Sequence, residues 1–364
     1  MLKLRSLYLL VFLLAAPLFS ALANTSEKAG SNEKKKGKKF DAGHTILHHV
    51  KDAHSVHFFD VGHTHVTLYL PCIVYGPNGL DVFSSSNFYN EHHEAIPYTA
   101  SSGTTYFLHE EKIKTLTNGK LVNVYDFSIT KTVLGMLIAM VLVCWMFISM
   151  AKKYRRQGTS APKGLQSWLE PLIVFIRDEV AKPSIGEKKH ARYMPYLLSI
   201  FWFIFICNLM GLIPFIGGFN ITGNIAITMV LALFTFIIML FHANKNFWLH
   251  IVAPPGVPIG LMPLLVIIEI VGLFSKPMVL MLRLFANVTA GHIIILSFVC
   301  LIFIFGEMSP VAGYSASPLS IAFSIFMNLL ELLVAFLQAY VFTLLSALYF
   351  GQATEEHHHE EAHH

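Results

Sequence analysis

Between positions 193 and 353 the chain has 161 residues, of which only six are Asp, Glu, Lys or Arg. Soluble domains carry about 25% charged residues, and so few cannot cover a water-facing surface of this size. The stretch therefore belongs in lipid, which excludes a soluble enzyme. Of the 48 charged residues in the whole chain, 38 precede position 193 and four follow 353. The net charge of +4 is too small and too scattered for a nucleic-acid binder. Cys72, Cys144, Cys207 and Cys300 are too far apart for a metal or redox motif and read as small hydrophobes.

Residues 1–23 read as a secretory signal: Lys3 and Arg5 begin it, 7–18 is apolar, and Ala21-Leu22-Ala23 fits a cleavage site. An uncleaved signal anchor is the alternative. Both readings put 24–128 outside the membrane. This segment opens with the lysine run 34–39, a solvated linker rather than a binding site. Exported segments of this length cross regardless of charge, so the lysines do not break the positive-inside rule. Val66, Leu68 and Leu70 alternate with His65, Thr67 and Tyr69, a half-buried strand pattern. Pro77-Asn78-Gly79 is a turn before a second strand at 80–83, so the segment is expected to be partly β. Ten of the 19 histidines fall between His44 and His109. His63-x-His65 on a strand would point both rings to one face, as metal ligands need, but no matching Cys or Glu spacing accompanies them. No metal and no cofactor is implied.

The expected fold is an all-α polytopic membrane domain over 129–354, with about five spans. The first is 129–150, stopped by Lys152, Lys153, Arg155 and Arg156. Residues 152–192 hold ten Lys or Arg against four acids, which places the loop 151–195 in the cytoplasm. Within it, 165–176 has an apolar helical face, suited to the inner membrane surface or to a partner subunit. Spans at 196–214 and 224–242 follow. The apolar stretch 263–305 is about 43 residues, roughly 65 Å as one helix and twice the hydrocarbon thickness. It is expected to be tilted, broken or partly buried in protein, with Pro277 a point for a kink. Residues 306–317 read as an outer loop, 318–350 as a second over-long span, and 355–364 as a cytoplasmic tail.

Glu269, Lys276, Arg283 and Glu331 lie at membrane depth, where an ion is paired, faces water or takes part in transport. Glu269, Lys276 and Arg283 are seven apart; each step turns only about −20°, so they share one helix face. Asn287 lies one turn beyond, with Ala286, Ala290 and Gly291 nearby to admit another helix. Glu331 and Gln338 share a face of the last helix. With the two helices antiparallel and Arg283 beside Gln338, His292 and Glu331 reach the same height within roughly 3 Å. His292 is turned about 180° from Arg283, off its face. Arg keeps its proton and holds a fixed charge. His292 and Glu331 titrate and so can line a proton path, as can Glu269 on the cytoplasmic side. Charges that only knit a helix bundle are the plainer reading.

Several strings resemble subunit a of F-type ATP synthase: Ser275-Lys276-Pro277, Leu282-Arg283-Leu284-Phe285-Ala286-Asn287 and Ala290-Gly291-His292. Leu337-Gln338-Ala339-Tyr340-Val341-Phe342 with Tyr349, and Asn208-x-x-Gly211-Leu212-Ile213-Pro214, extend the resemblance over roughly 129–356. The resemblance implies a non-catalytic stator subunit beside a rotating ring of c subunits, held by the b subunits of the peripheral stalk. It implies two offset half-channels and an essential arginine, Arg283, facing the ring carboxylate. Asn287 and Gln338 match polar positions beside that arginine; His292 and Glu331 match the outer half-channel pair, with acid and imidazole on opposite helices from many bacterial members. Ser275, Lys276 and Tyr349 are supporting positions. The implied place is the bacterial inner membrane, N-terminus outside and C-terminus cytoplasmic. The signal and the external segment are longer than usual for the family. Two other readings compete: a self-contained transporter, for which no internal repeat is found, and a membrane-anchored metal sensor built on the histidines. Protons are the expected coupling ion, since the chain shows no oxygen-ligand cluster for Na⁺.

Overall fold

The computed structural model describes residues 51–355, save 62–63, 91–94, 110, 118–119, 158–163, 214–217 and 254–257, and also 42, 43 and 46. The signal-like segment 1–23, the lysine run 34–39, His63, Pro214 and the tail beyond Glu355 lie outside the described residues. The protein is mainly helical, with strands near its N-terminus.

Nine strands make three small antiparallel sheets. β1 (Ser55–Val61) pairs with β2 (Thr64–Tyr69). β3 (Pro71–Gly76) lies between β4 (Gly79–Ser84) and β9 (Tyr125–Asp126). β5 (Tyr98–Thr99), β6 (Thr105–His109), β7 (Lys112–Thr117) and β8 (Lys120–Asn123) form the third in sequence order. The expected turn joins β3 to β4, and Gly79 takes φ +122°, open to glycine alone without strain. Period-two alternation buries Cys72, Val74 and Phe83 with Phe88, Tyr106 and Ile113. Phe83 lies 5.7 Å from the Tyr106 ring and 4.8 Å from Tyr98. Inside this core the Tyr106 hydroxyl donates to Asp81 Oδ2 at 2.8 Å, and Ser102 Oγ donates to the same oxygen at 2.6 Å. Burial, then the bond to Asp81, push the Tyr106 phenol up to about 12, so it remains a donor at any physiological pH. His54, 3% exposed, gives its Nε2 proton to Asp126 Oδ2 at 2.9 Å. Burial raises the Asp126 carboxyl, but hydrogen bonds from His54 and Ser128 outweigh that and leave it below the usual carboxylate range.

The alternation in β2 has a different outcome from its reading: Val66 and Leu68 are exposed, and only Leu70 is buried. β1 and β2 pair as a two-stranded ribbon, in which Val56, opposite Leu68, is buried. Among the described residues no cluster of three His, Cys, Asp or Glu side chains gathers.

The helices follow. α1 is Lys131–Gln157 and carries the stop cluster Arg155 and Arg156 in its last turn. α2 (Leu165–Phe175) continues through a π-turn (Ile176–Ala181) into α3 (Lys182–Ile185), so much of the basic loop is helical. α4 is His190–Leu212, α5 Ile225–Phe241 and α6 Lys245–Val252. α7 is Met262–Met308 and α8 Pro310–Thr354. Among the described residues four helices (α1, α4, α7, α8) are long and apolar enough to cross a membrane, and five spans result if α5 and α6, bent by 102°, count as one. α7 runs through Pro277 without a break; its 47 residues reach about 70 Å.

The stretch 306–317, read as a loop, is helical except at Ser309. Ser309 Oγ accepts from the Ala312 amide at 3.1 Å and caps α8, and Pro310 takes the first helical position, where its missing N–H costs nothing. Gly306 and Gly313 let the two backbones meet: a Cβ on Gly313 would lie 2.8 Å from Gly306 Cα.

The chain divides into two compact units. One gathers 1–138, 207–221 and 289–333, the other 139–206, 222–288 and 334–364. In the second, Phe336 packs edge-on against Phe201 and Phe205, and Tyr193 stacks on Phe350 at 5.0 Å. The last carbonyls of α8 would be orphaned in lipid. Lys189 Nζ donates to Thr354 O at 2.7 Å, and Asn244 donates from its backbone to Ala353 O and from its side chain to Thr354 O.

In the first unit the strands hold the start of α1. Lys131 N donates to Ala53 O at 2.8 Å and Thr132 N to Asp52 Oδ1 at 3.0 Å, so Asp52 serves as a helix cap from 80 residues away. Asp52→Ala should cost about 1 kcal/mol and raise amide exchange at Thr132 roughly fivefold. Unchanged exchange there would remove the cap.

Candidate functional site

Two side chains at the centre of the sequence argument meet. His292 Nδ1 lies 2.7 Å from Glu331 Oε1, between α7 and α8 in the first unit, with the side chains 15% and 9% exposed. Their approach is set by glycine. A Cβ on Gly291 would lie 2.9 Å from Glu331 Oε1 and 3.0 Å from its Cδ, so only a bare backbone admits the carboxylate. On the other side, a Cβ on Gly211 of α4 would meet the His292 ring at 3.5 Å and the Phe219 carbonyl at 3.2 Å.

Glu331 does not stand alone on its helix. Ser320, Ser324 and Asn328 are 1%, 0% and 3% exposed and precede it by 11, 7 and 3 residues. That spacing keeps all four on one face of α8 along about 17 Å. The Ser320 and Ser324 hydroxyls and Glu331 Oε2 are buried with no hydrogen-bond partner, as is Thr289 Oγ1 one turn before His292. Asn328 Nδ2 donates to Ser324 O at 3.0 Å. Buried groups of this kind, left unpaired, cost about 1–3 kcal/mol each, and polar sites with several such groups are where water binds. This stripe was missed in the sequence, although polar residues four, four and three apart in an apolar helix announce a shared polar face.

In the second unit, Lys276 Nζ donates to Gln352 Oε1 at 2.7 Å and sits 5.5 Å from the centre of the Tyr349 ring. Lys276 and Tyr349 are thus brought together, and Gln352, three residues past Tyr349, joins them unforeseen. Glu269 is half-buried and close enough to Lys276 to act on it electrostatically. Ser275 is exposed and donates to Gly272 O at 2.9 Å, a bond within its own helix. Gln338 is 5% exposed.

Arg283 and Asn287 are exposed, along with Ala286 and Ala290. Around them Val279 and Leu282 of α7 are exposed as well. Among the described residues Arg283 takes no hydrogen bond and no ion pair. The chain therefore presents a permanent cation on an apolar, partly small-residue face within a span.

Comparison with known proteins covers both parts of the chain. Residues 133–351 match the family model described as ATP synthase A chain, and 45–132 match a domain of unknown function, DUF8433. ATP synthase subunit a of Chloroherpeton thalassium is 44% identical over 250 residues, 66% of this chain and 71% of the relative. The Myxococcus xanthus subunit a is 40% identical over 262 residues, 70% of this chain and 81% of its own. A subunit a 2 of Chlorobaculum tepidum is 46% identical over 236 residues, 63% of this chain and 64% of its own.

The glycine contact makes a sharp expectation. Gly291→Ala should force the His292–Glu331 pair apart and destabilise the chain by about 1–3 kcal/mol. Gly272→Ala, with no atom within 4 Å of the new methyl, should be neutral or slightly stabilising. Thermal unfolding of both variants in one detergent measures this; equal midpoints would mean the approach is not tight.

Proposed function

Because this chain belongs to the ATP synthase A chain family, we propose that it is the stator half of a rotary proton motor, with Arg283 facing a ring of c subunits. The observation that carries the reading is the exposed Arg283, without a counter-charge on its own chain, on an apolar face of a membrane helix. Such a cation needs an anion at the same depth, and a ring carboxylate supplies one. Ala286 and Ala290 let the ring helix come close.

The chemistry divides by residue type. Arg283 cannot release its proton, so it holds the passing ring carboxylate ionised and blocks a direct leak between two half-channels. His292 and Glu331 exchange protons in the outer half-channel, reached along the Ser320–Ser324–Asn328 face. Asn287 and Gln338 are the polar neighbours of the arginine. Glu269 serves the cytoplasmic half-channel, with Lys276, Tyr349 and Ser275 bracing that end. The chain catalyses nothing alone; in the complex it couples proton flow to ATP synthesis, anchored by the b subunits of the peripheral stalk. The basic segment between α1 and α4 sets the cytoplasmic side. The N-terminal β domain is then periplasmic, the C-terminus cytoplasmic and the membrane the bacterial inner one.

Arg283→Ala in the assembled enzyme should abolish proton-driven ATP synthesis while ATP hydrolysis by the catalytic head persists. Arg283→Lys should fail too, because an ammonium lacks the planar fork. Normal synthesis in either variant sinks the reading. His292→Ala or Glu331→Gln should slow proton conduction by roughly 10²-fold. Exchanging the two residues should restore more activity than either single change, since acid and imidazole both remain. Synthesis that needs Na⁺ at fixed pH would refute the proton assignment.

A further inference from the structure

The β4-β3-β9 sheet has two unlike faces. One is buried and carries Cys72, Val74, Asp81 and Phe83. The other carries Tyr75, Leu80, Val82, Tyr125 and Phe127, which are 53%, 62%, 66%, 73% and 67% exposed. The register makes them neighbours: Tyr75 pairs with both Leu80 and Tyr125, Ile73 pairs with Val82, and Phe127 N donates to Ile73 O at 2.8 Å. The paired positions of this face hold no Asp, Glu, Lys or Arg. The second exposed sheet in the domain differs, with Lys112 and Lys120 open to solvent. A contiguous apolar patch on a surface domain marks a contact.

The position of the patch identifies the contact. Phe127 is four residues before Lys131, where α1 enters its apolar span, and four residues reach at most about 14 Å. The connection is not loose. Ile129 N donates to Pro71 O at 3.2 Å, Ile73 N donates to Ser128 Oγ at 3.0 Å, and Asp52 and Ala53 hold the first amides of the helix. The sheet is therefore pinned at the level where the span meets water. Tyr, Phe and aliphatic side chains without charges are the composition of a surface lying at that level.

We infer that this sheet face is a lipid-contacting surface, seated in the headgroup region of the leaflet that α1 enters. The inference uses α1 as a membrane span and does not depend on the proton path. The domain thus acts as a float that fixes the height and tilt of α1.

The test places a nitroxide label at Val82→Cys, and separately at Leu80→Cys, with Lys120→Cys as a control. All are made on a Cys144→Ser background in the assembled complex in lipid nanodiscs, because Cys144 is exposed while Cys72, Cys207 and Cys300 are buried. Collision with oxygen, which concentrates in lipid, is compared with collision with a water-soluble nickel chelate. The ratio at 82 and 80 should exceed that at 120 several-fold. Nickel access equal to the Lys120 label would overturn the proposal. So would shielding from both reagents, which would mean that another protein chain covers the face.

Discussion

Hydrocarbon offers an ion neither water nor counter-charge, and the helical part of this protein is arranged around that constraint. Four charged side chains lie in the apolar stretches of α7 and α8, and each is treated differently. Lys276 reaches Gln352 and the Tyr349 ring. Glu331 takes His292. Glu269 feels Lys276. Arg283 is exposed and takes no hydrogen bond or ion pair among the described residues, with Tyr349 near enough to feel its charge. The same constraint acts on the backbone, where Lys189 and Asn244 meet the final carbonyls of α8.

Most of the helical plan was legible because lipid imposes a single demand over long stretches. Two spans too long to stand upright and four charges within them are properties of composition. Spacing alone put His292 level with Glu331, since the rise of a helix is fixed. What was hidden depended on small residues and on tertiary context. Gly291 was legible as a place for another helix to approach, but glycine leaves no periodic signal, so the role of Gly211 beside the His292 ring was hidden. The residues 306–317 looked like an outer loop because they separate two apolar stretches and hold no Lys or Arg. Here Ser309 and Pro310 start a helix instead. In β2 the alternation was real, yet Val66 and Leu68 are exposed, because burial is decided by tertiary packing rather than by the pattern of one strand.

The β domain and the helices share a habit: each buries polar side chains and exposes apolar ones. The domain buries Asp81 beneath Tyr106 and Ser102, within an apolar core, and exposes Tyr125 and Phe127. His54 and Asp126 close that core next to the helix start, so the fold of the domain and the position of α1 depend on shared residues.

The hairpin between α7 and α8 has a mechanical consequence. One residue, Ser309, joins two helices whose backbones touch at Gly306 and Gly313. Such a joint has no slack in it. A sideways push on α7 near this end cannot be absorbed by hinge motion and must be shared with α8, so the pair behaves as a splint. Two glycines and a single linking serine provide that stiffness.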